Sequence, residues 1–452
     1  MTRRSRETIA PIGVLIACLL AACAARAQDA PKRMDEIVQS DVNAKQFMGS
    51  VLVARDASIL LDKGYGYADL EWRVPDAPDA KFRLGSITKQ FTAASILLLE
   101  ERGKLKTDDP VKKYMPDAPP AWDKITIYNL LTHTSGIPNF TSFPDYHASE
   151  ATPTTPEKLV ARFRDKTLDF PPGTKWSYSN SGYVLLGYLI EKISGKSYRD
   201  FVEENIFKPL GMNDSGYDSD SAIIPRHAYG YSPGSDGPVN AGYIDMTIPF
   251  SAGALYSTTH DLLKWEQGLF GGKVLSPASL NKMTTPFKED YACGLMVRTV
   301  NGRTEIEHGG GIEGFNTDLA YYPGDKLTVV VLANLNGGAP EEIAAKLAAV
   351  AHGEKVVLPS ERKEIAVSPD VLGRYLGTYQ LTPDFSIVIT LEGSQMMAQA
   401  TNQPKFPIFP ESETKFFLKV VDAQIEFLKN DKGDVTSLVL HQGGRDTKGV
   451  RK

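Results

Sequence analysis

What most limits the possible folds of this chain is a change of hydrophobic period along its length. Between Gln46 and Leu61 the pattern is strand-like, with Val51, Val53, Leu60 and Leu61, and Gly64–Ala68 continues it. A long middle segment then reads as helical. From Tyr291 the period returns to two, over Leu295–Val300, Arg303–His308, Asn316–Tyr322 and Leu327–Asn334, with Pro323-Gly324-Asp325 as a hairpin turn. Strands at both ends of a helical block complete one sheet only if the ends meet. The pattern therefore predicts a single α/β domain over residues 35–352, closed by a helix at Glu341–Ala351.

Inside the block, apolar spacing predicts helices from Ser86 to Gly103 and over 125–134, 155–168, 182–194, 198–206 and 277–283. Another opens at Thr258, a cap with Asp261 three positions on, and runs through Phe270. Residues 137–155 and 211–245 are expected to be loops. The second is rich in Gly, Ser, Asp, Pro and Tyr, and an aperiodic stretch of that length is more often an active-site wall than a spacer. A charged linker at 353–369 separates this domain from residues 370–452. There, short strand-like runs alternate with Pro-, Gly- and Asp-rich turns, as in a small antiparallel β-barrel. The runs are Tyr375–Leu381, Ser386–Leu391, Met396–Ala400, Lys415–Val420, Gln424–Lys429 and Ser437–His441. Two domains suit a chain of 452 residues, which is too long for one ordinary core.

Residues 1–27 read as a targeting segment. Arg3, Arg4 and Arg6 precede an apolar run, and Ala25-Arg26-Ala27 fits a cleavage site that leaves Gln28 first. Leu20-Ala21-Ala22-Cys23 is a competing bacterial lipoprotein signal, with Cys23 as the lipidated residue. Either way the expected location is periplasmic or secreted. No later stretch is apolar enough to span a membrane. Cleavage removes four Arg and one Glu, moving the formal charge from -5 to -8, which argues against nucleic acid as a partner. It also leaves Cys293 alone, so no intramolecular disulfide is possible, and Cys293 is expected to be a small buried residue. No His, Cys or Asp cluster has metal-ligand spacing and no glycine loop suits a nucleotide, so no metal or cofactor is expected.

Candidate chemistry centres on Ser86 and Lys89. Three residues apart on a helix, they share a face, and a desolvated lysine is a base for a serine nucleophile. Tyr178 and Asn180 sit just before a predicted helix. A tyrosine flanked by cations reaches its phenolate; Asn180 would donate to a substrate carbonyl, hold Lys89, or cap the helix. His308-Gly309-Gly310-Gly311 ends a predicted strand, and the N–H groups of Ser86 and Gly311 are a reasonable oxyanion pair. Gly230-Tyr231-Ser232-Pro233-Gly234 matches a nucleophile-elbow pattern but lacks the strand-before, helix-after setting that the motif requires. His133 is expected to satisfy nearby backbone groups.

Taken in order, Gly85-Ser86-Ile87-Thr88-Lys89, Leu130–Gly136, Tyr178-Ser179-Asn180, Ala252–Ser257 and His308-Gly309-Gly310 resemble the motifs of the serine beta-lactamase-related family. That family groups class C beta-lactamases, penicillin-binding DD-peptidases, D-aminopeptidases and family VIII esterases. The resemblance covers about residues 35–352. It implies a transpeptidase-like antiparallel sheet flanked by helices plus an all-helical region. It also implies Ser86 as the acylated nucleophile, Lys89 as its proton partner and Tyr178 as the shared general base. Asn180 and His308 support substrate, with His308 assisting Tyr178 and, when charged, meeting a substrate carboxylate; Gly310 and Gly311 line the oxyanion side. His308 stands where dedicated class C enzymes have lysine, and Ser179 where they commonly have alanine. The resemblance thus points to D-amino-acid peptides before small esters or beta-lactams; a slow penicillin-binding sensor is the non-enzymatic alternative. The C-terminal barrel resembles lipocalin-like appendages, which can wall off the cleft or mediate oligomerisation. A small molecule or short peptide is the expected substrate.

Overall fold

The computed structural model describes residues 30–442 and 445–452. The leader over 1–27, with Cys23 and both cleavage sites, lies outside the described residues. The chain forms two compact units, one of residues up to 340 with 346–354 and one of 341–345 with 355–452.

A six-stranded antiparallel sheet organises the first unit. Its order is Met296–Val300, Arg303–Ile312, Phe315–Tyr322, Leu327–Ala333, Gly49–Arg55, Ser58–Tyr65, so the first strand in sequence pairs with the last. Every residue of Leu327–Ala333 is buried, and Gly49–Arg55 is nearly so. Strands covered on both faces need no alternation, which explains the continuous apolar run LTVVVLA. Residues 30–43 are helical and dock on the far edge, where Asp35 accepts hydrogen bonds from Tyr65 (2.8 Å) and Lys63 (2.7 Å).

Helix Thr88–Glu101 is buried from Thr88 to Leu99, so it is the axis of the helical block and not one of its surface helices. Phe91 packs on Trp265 at 4.3 Å between ring centroids, which ties this axis to helix Thr259–Phe270 on the sheet. Helix Asn180–Ser194 lies against it and ends on Gly195, in the left-handed conformation common at helix ends.

The two expected loops are partly ordered. Residues 137–155 contain a 3-10 turn at Phe140–Ser142 and a short helix at Tyr146–Ser149. Within 211–245, strands Tyr231–Gly234 and Gly237–Asn240 form a hairpin, and Gly216–Tyr217 pairs with Leu255–Ser257. Ser232 lies on that hairpin with no helix after it, and its hydroxyl donates to Asn336.

The second unit contains a closed antiparallel barrel of eight strands, shut by the pairing of Gly377–Thr382 with Arg445–Arg451. Two strands go beyond the sequence expectation. Lys405–Pro410 carries Pro407 and Pro410, which read as turn residues, and Arg445–Arg451 is mostly polar with a glycine. Inside, Tyr375 stacks on Phe427 at 4.3 Å, and Tyr379, Ile389, Phe416 and Leu438 complete the core. Eight strands leave a lumen that side chains fill. Among the described residues no helix is long and apolar enough to cross a membrane.

Candidate active site

Ser86 sits in a 3-10 turn, Gly85–Ile87, that runs directly into helix Thr88–Glu101. The turn lies on an open part of the sheet. Strand Arg303–Ile312 pairs with Met296–Val300 only as far as Glu307, so from His308 on its outer edge has no partner among the described strands. The turn meets that edge closely. Gly85 has φ +54°, and a Cβ there would lie 2.8 Å from the Gly311 nitrogen. At Gly310 a Cβ would lie 2.0 Å from the Leu84 carbonyl oxygen, so neither position admits a side chain without moving backbone.

Three of the expected residues converge on the serine. Lys89 Nζ is 3.0 Å from Ser86 Oγ, and the Tyr178 hydroxyl donates to the same oxygen at 2.7 Å. Asn180 completes the group, because Lys89 donates to its Oδ1 (2.8 Å) and to the Ala252 carbonyl (2.9 Å). The helix cap is Ser179, whose hydroxyl accepts from Gly182 N–H, so Asn180 is free to turn inward; its Nδ2 donates to Thr141. Holding Lys89 is therefore the Asn180 role that the hydrogen bonds select.

Protonation departs from the sequence expectation. Burial pushes the Lys89 ammonium well below the usual lysine range. Burial also pushes the Tyr178 phenol up, with the Ser86 hydrogen bond acting in the opposite direction. Burial thus works against the phenolate that surrounding cations would stabilise. Three contacts saturate Lys89: the ammonium donates to Ser86, Asn180 and Ala252, and the neutral amine that burial favours keeps two donations and accepts from the Ser86 hydroxyl.

His308 also sits differently from expectation. Its Nδ1–H donates to the Gly309 carbonyl at 2.6 Å, which leaves Nε2 as an acceptor for the Tyr291 hydroxyl at 3.0 Å. Its ring centroid is 6.3 Å from that of Tyr178, and no hydrogen bond joins the two. Burial pulls His308 down to about 4. It is thus neutral at pH 7, so burial works against the charged contact with a substrate carboxylate that the resemblance implies.

Tyr291 and His133 extend this network. His133 Nδ1 accepts the Ser179 N–H at 3.1 Å, so its proton is on Nε2 and points to the Tyr291 oxygen, 3.1 Å away. The His133 carbonyl accepts the Ser177 N–H, so one residue clamps the backbone on both sides of Tyr178. His133 takes φ +55° to do so, an uncommon conformation for a residue with a side chain. Sequence reasoning passed over Tyr291, which is 17 residues from one histidine and 158 from the other. Its only local signal is a tyrosine directly before the buried Ala292-Cys293. Cys293 itself is buried, and burial pushes its thiol up to about 12, far from a reactive thiolate.

In front of Ser86 is a cavity of about 180 Å³, lined among others by Phe140, Thr141, Tyr146, Ile244 and Gly311. The 137–155 segment supplies three of those side chains, whereas 211–245 supplies only Ile244. Among the described residues no group of His, Cys, Asp and Glu has the arrangement of a metal site.

Comparison with known proteins places this geometry. Residues 34–354 match the family described as Beta-lactamase, and residues 361–451 match a domain of unknown function, DUF3471. The chain is 33% identical over 294 residues to the putative penicillin-binding protein PbpX of Bacillus subtilis (strain 168), covering 65% of this chain and 72% of that protein. It is similar to the structure of the octameric penicillin-binding protein homologue from Pyrococcus abyssi: TM-score 0.66, 27% identity, 92% of this chain and 99% of the other. It is also similar to the D-amino acid amidase from Ochrobactrum anthropi SV3 complexed with D-phenylalanine: TM-score 0.64, 25% identity, 72% of this chain and 99% of the other.

Proposed function

The chain belongs to the beta-lactamase family of serine-hydrolase and penicillin-binding-related enzymes, and on that premise we propose that it cleaves peptides or amides of D-amino acids through an acyl-enzyme on Ser86. The observation that carries this reading is the arrangement of Lys89 Nζ and the Tyr178 hydroxyl, 3.0 and 2.7 Å from one serine oxygen. Lys89, neutral at rest, takes the Ser86 proton as Oγ attacks the substrate carbonyl. Tyr178 passes its proton to the departing amine; in deacylation the attacking water returns a proton to Tyr178, and Lys89 gives its proton back to Ser86. The N–H groups of Ser86 and Gly311 receive the oxyanion, beside the edge of strand Arg303–Ile312. Gly310 keeps that edge close, Asn180 fixes the amine, and His308 acts through Tyr291 without bearing charge. Water then releases the acyl group by the same proton route.

The D-amino acid assignment is supported by the likeness to the D-amino acid amidase. Rates on a D-alanyl amide, a p-nitrophenyl ester and nitrocefin, for wild type and Ser86→Ala, test it. We expect the amide to be the best substrate and all turnover to vanish in Ser86→Ala; turnover that survives the substitution rejects the assignment.

The same reading extends to the whole chain. Residues 1–27 direct export to the periplasm or beyond, with cleavage before Gln28 or lipidation at Cys23. Residues 35–352 form the catalytic domain, 353–369 the linker and 370–452 a lipocalin-like barrel. The octameric homologue supports assembly of this chain into an oligomer. Intact mass of the mature protein and its mass in solution check these two points.

A further inference from the structure

Among the side chains lining the cavity in front of Ser86, one carries a formal charge, and it is Glu313. It lies two residues beyond Gly311, in the turn between strands Arg303–Ile312 and Phe315–Tyr322, and is half-buried. No lysine, arginine or histidine among the described residues forms an ion pair with it. Arg83, whose charge does reach it, is committed to Asp218 at 2.7 Å and Asp220 at 3.8 Å. Burial lifts the Glu313 carboxyl above the usual range, with Glu150 adding to the lift and Arg83 and His147 opposing it. Its field also reaches Tyr146, which lines the same cavity and whose phenol is pushed up by burial first and then by Glu313 and Glu150.

Positive charge is missing from the same cavity. Lys89 faces Ser86 from the interior, and its contacts with Ser86, Asn180 and Ala252 use its full hydrogen-bonding capacity. His308 is neutral, with both ring nitrogens engaged. A substrate ending in a free carboxylate beside the scissile bond would meet a carboxylate and no cation, whereas a substrate with a free amine there would meet its counter-ion.

We propose that Glu313 is a specificity-determining residue that receives the free α-ammonium of a D-amino-acid amide or peptide, so that the enzyme cuts at the amino end of its substrate and not at the carboxyl end. This rests on the acyl-enzyme reading above. Ser86 Oγ bonds to the carbonyl carbon as its proton goes to Lys89, the C–N bond breaks, and the amine leaves with a proton from Tyr178. Water then displaces Ser86 and the free amino acid departs. Throughout, the ammonium stays on the acyl half, held by Glu313.

Four substrates and three variants test this. The substrates are D-alanine p-nitroanilide, its N-acetyl derivative, an N-acetylated peptide ending in D-alanyl-D-alanine, and p-nitrophenyl acetate. The variants are Ser86→Ala, Glu313→Gln and Glu313→Lys. Wild type is expected to favour the free amine over its N-acetyl form by tenfold or more in kcat/KM, about the discrimination of one charge-assisted hydrogen bond. Glu313→Gln should collapse that ratio mainly through KM. Glu313→Lys should invert the order of the free-amine substrate and the carboxylate-ended peptide, a gain that a misfolded variant cannot give. A ratio that survives Glu313→Gln, or a wild type that prefers the N-acetylated substrates, overturns the proposal while Ser86-dependent turnover upholds the acyl-enzyme reading. No Ser86-dependent turnover of any of the four rejects that reading, and the proposal with it.

Discussion

Two buried polar networks flank Tyr178, and they are wired in opposite ways. On one side Ser86, Lys89, Tyr178 and Asn180 gather around a hydroxyl whose proton has more than one place to go. On the other, His133, Tyr291 and His308 form a line with each proton assigned by its neighbours, from the Ser179 N–H at one end to the Gly309 carbonyl at the other. A network anchored to backbone at both ends has nowhere to send a proton. The first set suits the movement of a proton, whereas the second fixes its rings by hydrogen bonds and by a burial that disfavours charge on both histidines. Similar residue types in similar burial thus serve different ends because of where their hydrogen bonds terminate.

The contrast can be broken experimentally, and the mobile side should yield the largest effects. Lys89→Arg installs a permanent cation that cannot become a neutral base, so kcat should fall by about a thousandfold or more; near-normal turnover in a steady-state assay would refute the neutral-amine role. Tyr178→Phe removes one proton carrier and should lower kcat by about a hundredfold, with KM little changed.

Effects on the fixed side should be smaller and of another kind. Tyr291→Phe deletes both hydrogen bonds between the histidines, for which we expect about a tenfold loss of kcat. It also removes the donor that favours neutral His308, so the acid limb of the pH–rate profile should move upward from about 4. An unmoved limb would mean that His308 is not the group titrating. The smallest effect concerns stability. The folded value of His308, about 4, lies below the unfolded value near 6.5. Its neutral form therefore contributes stability that is present above pH 6.5 and lost as pH falls towards 4, by up to about 1.4 kcal/mol per pH unit. His308→Gln lacks this term, so the gap between the two denaturation midpoints should shrink over that window.

These networks differ equally in how far they could be read from the chain. Ser86 and Lys89 are legible because three positions on a helix bring side chains together without help from the rest of the fold. Tyr178, Asn180 and His308 became legible only as members of an ordered set of motifs. Their protonation was not, since burial decides it and burial belongs to the folded state: burial disfavours the charge expected on Lys89 and keeps His308 a neutral imidazole. Tyr291 carries no pattern, as its partners come from distant segments, and neither does Glu313, which reaches the cavity only through the turn after Ile312. In the fold, the period-two runs of the sheet were plain, whereas Lys405–Pro410 was hidden by its prolines and Arg445–Arg451 by its polarity.

The pairing of the first strand with the last carries a consequence for how the molecule is made. Gly49 faces Ala333 across the ladder, roughly 280 residues apart in sequence. Contacts of that span are slow to form because a long loop must close before they return any energy. A nascent chain therefore holds its serine and lysine well before the strand edge at Gly311 exists to lie beside them. Such a chain would be hydrolytically silent during synthesis, and would first acquire activity where the full sheet first closes.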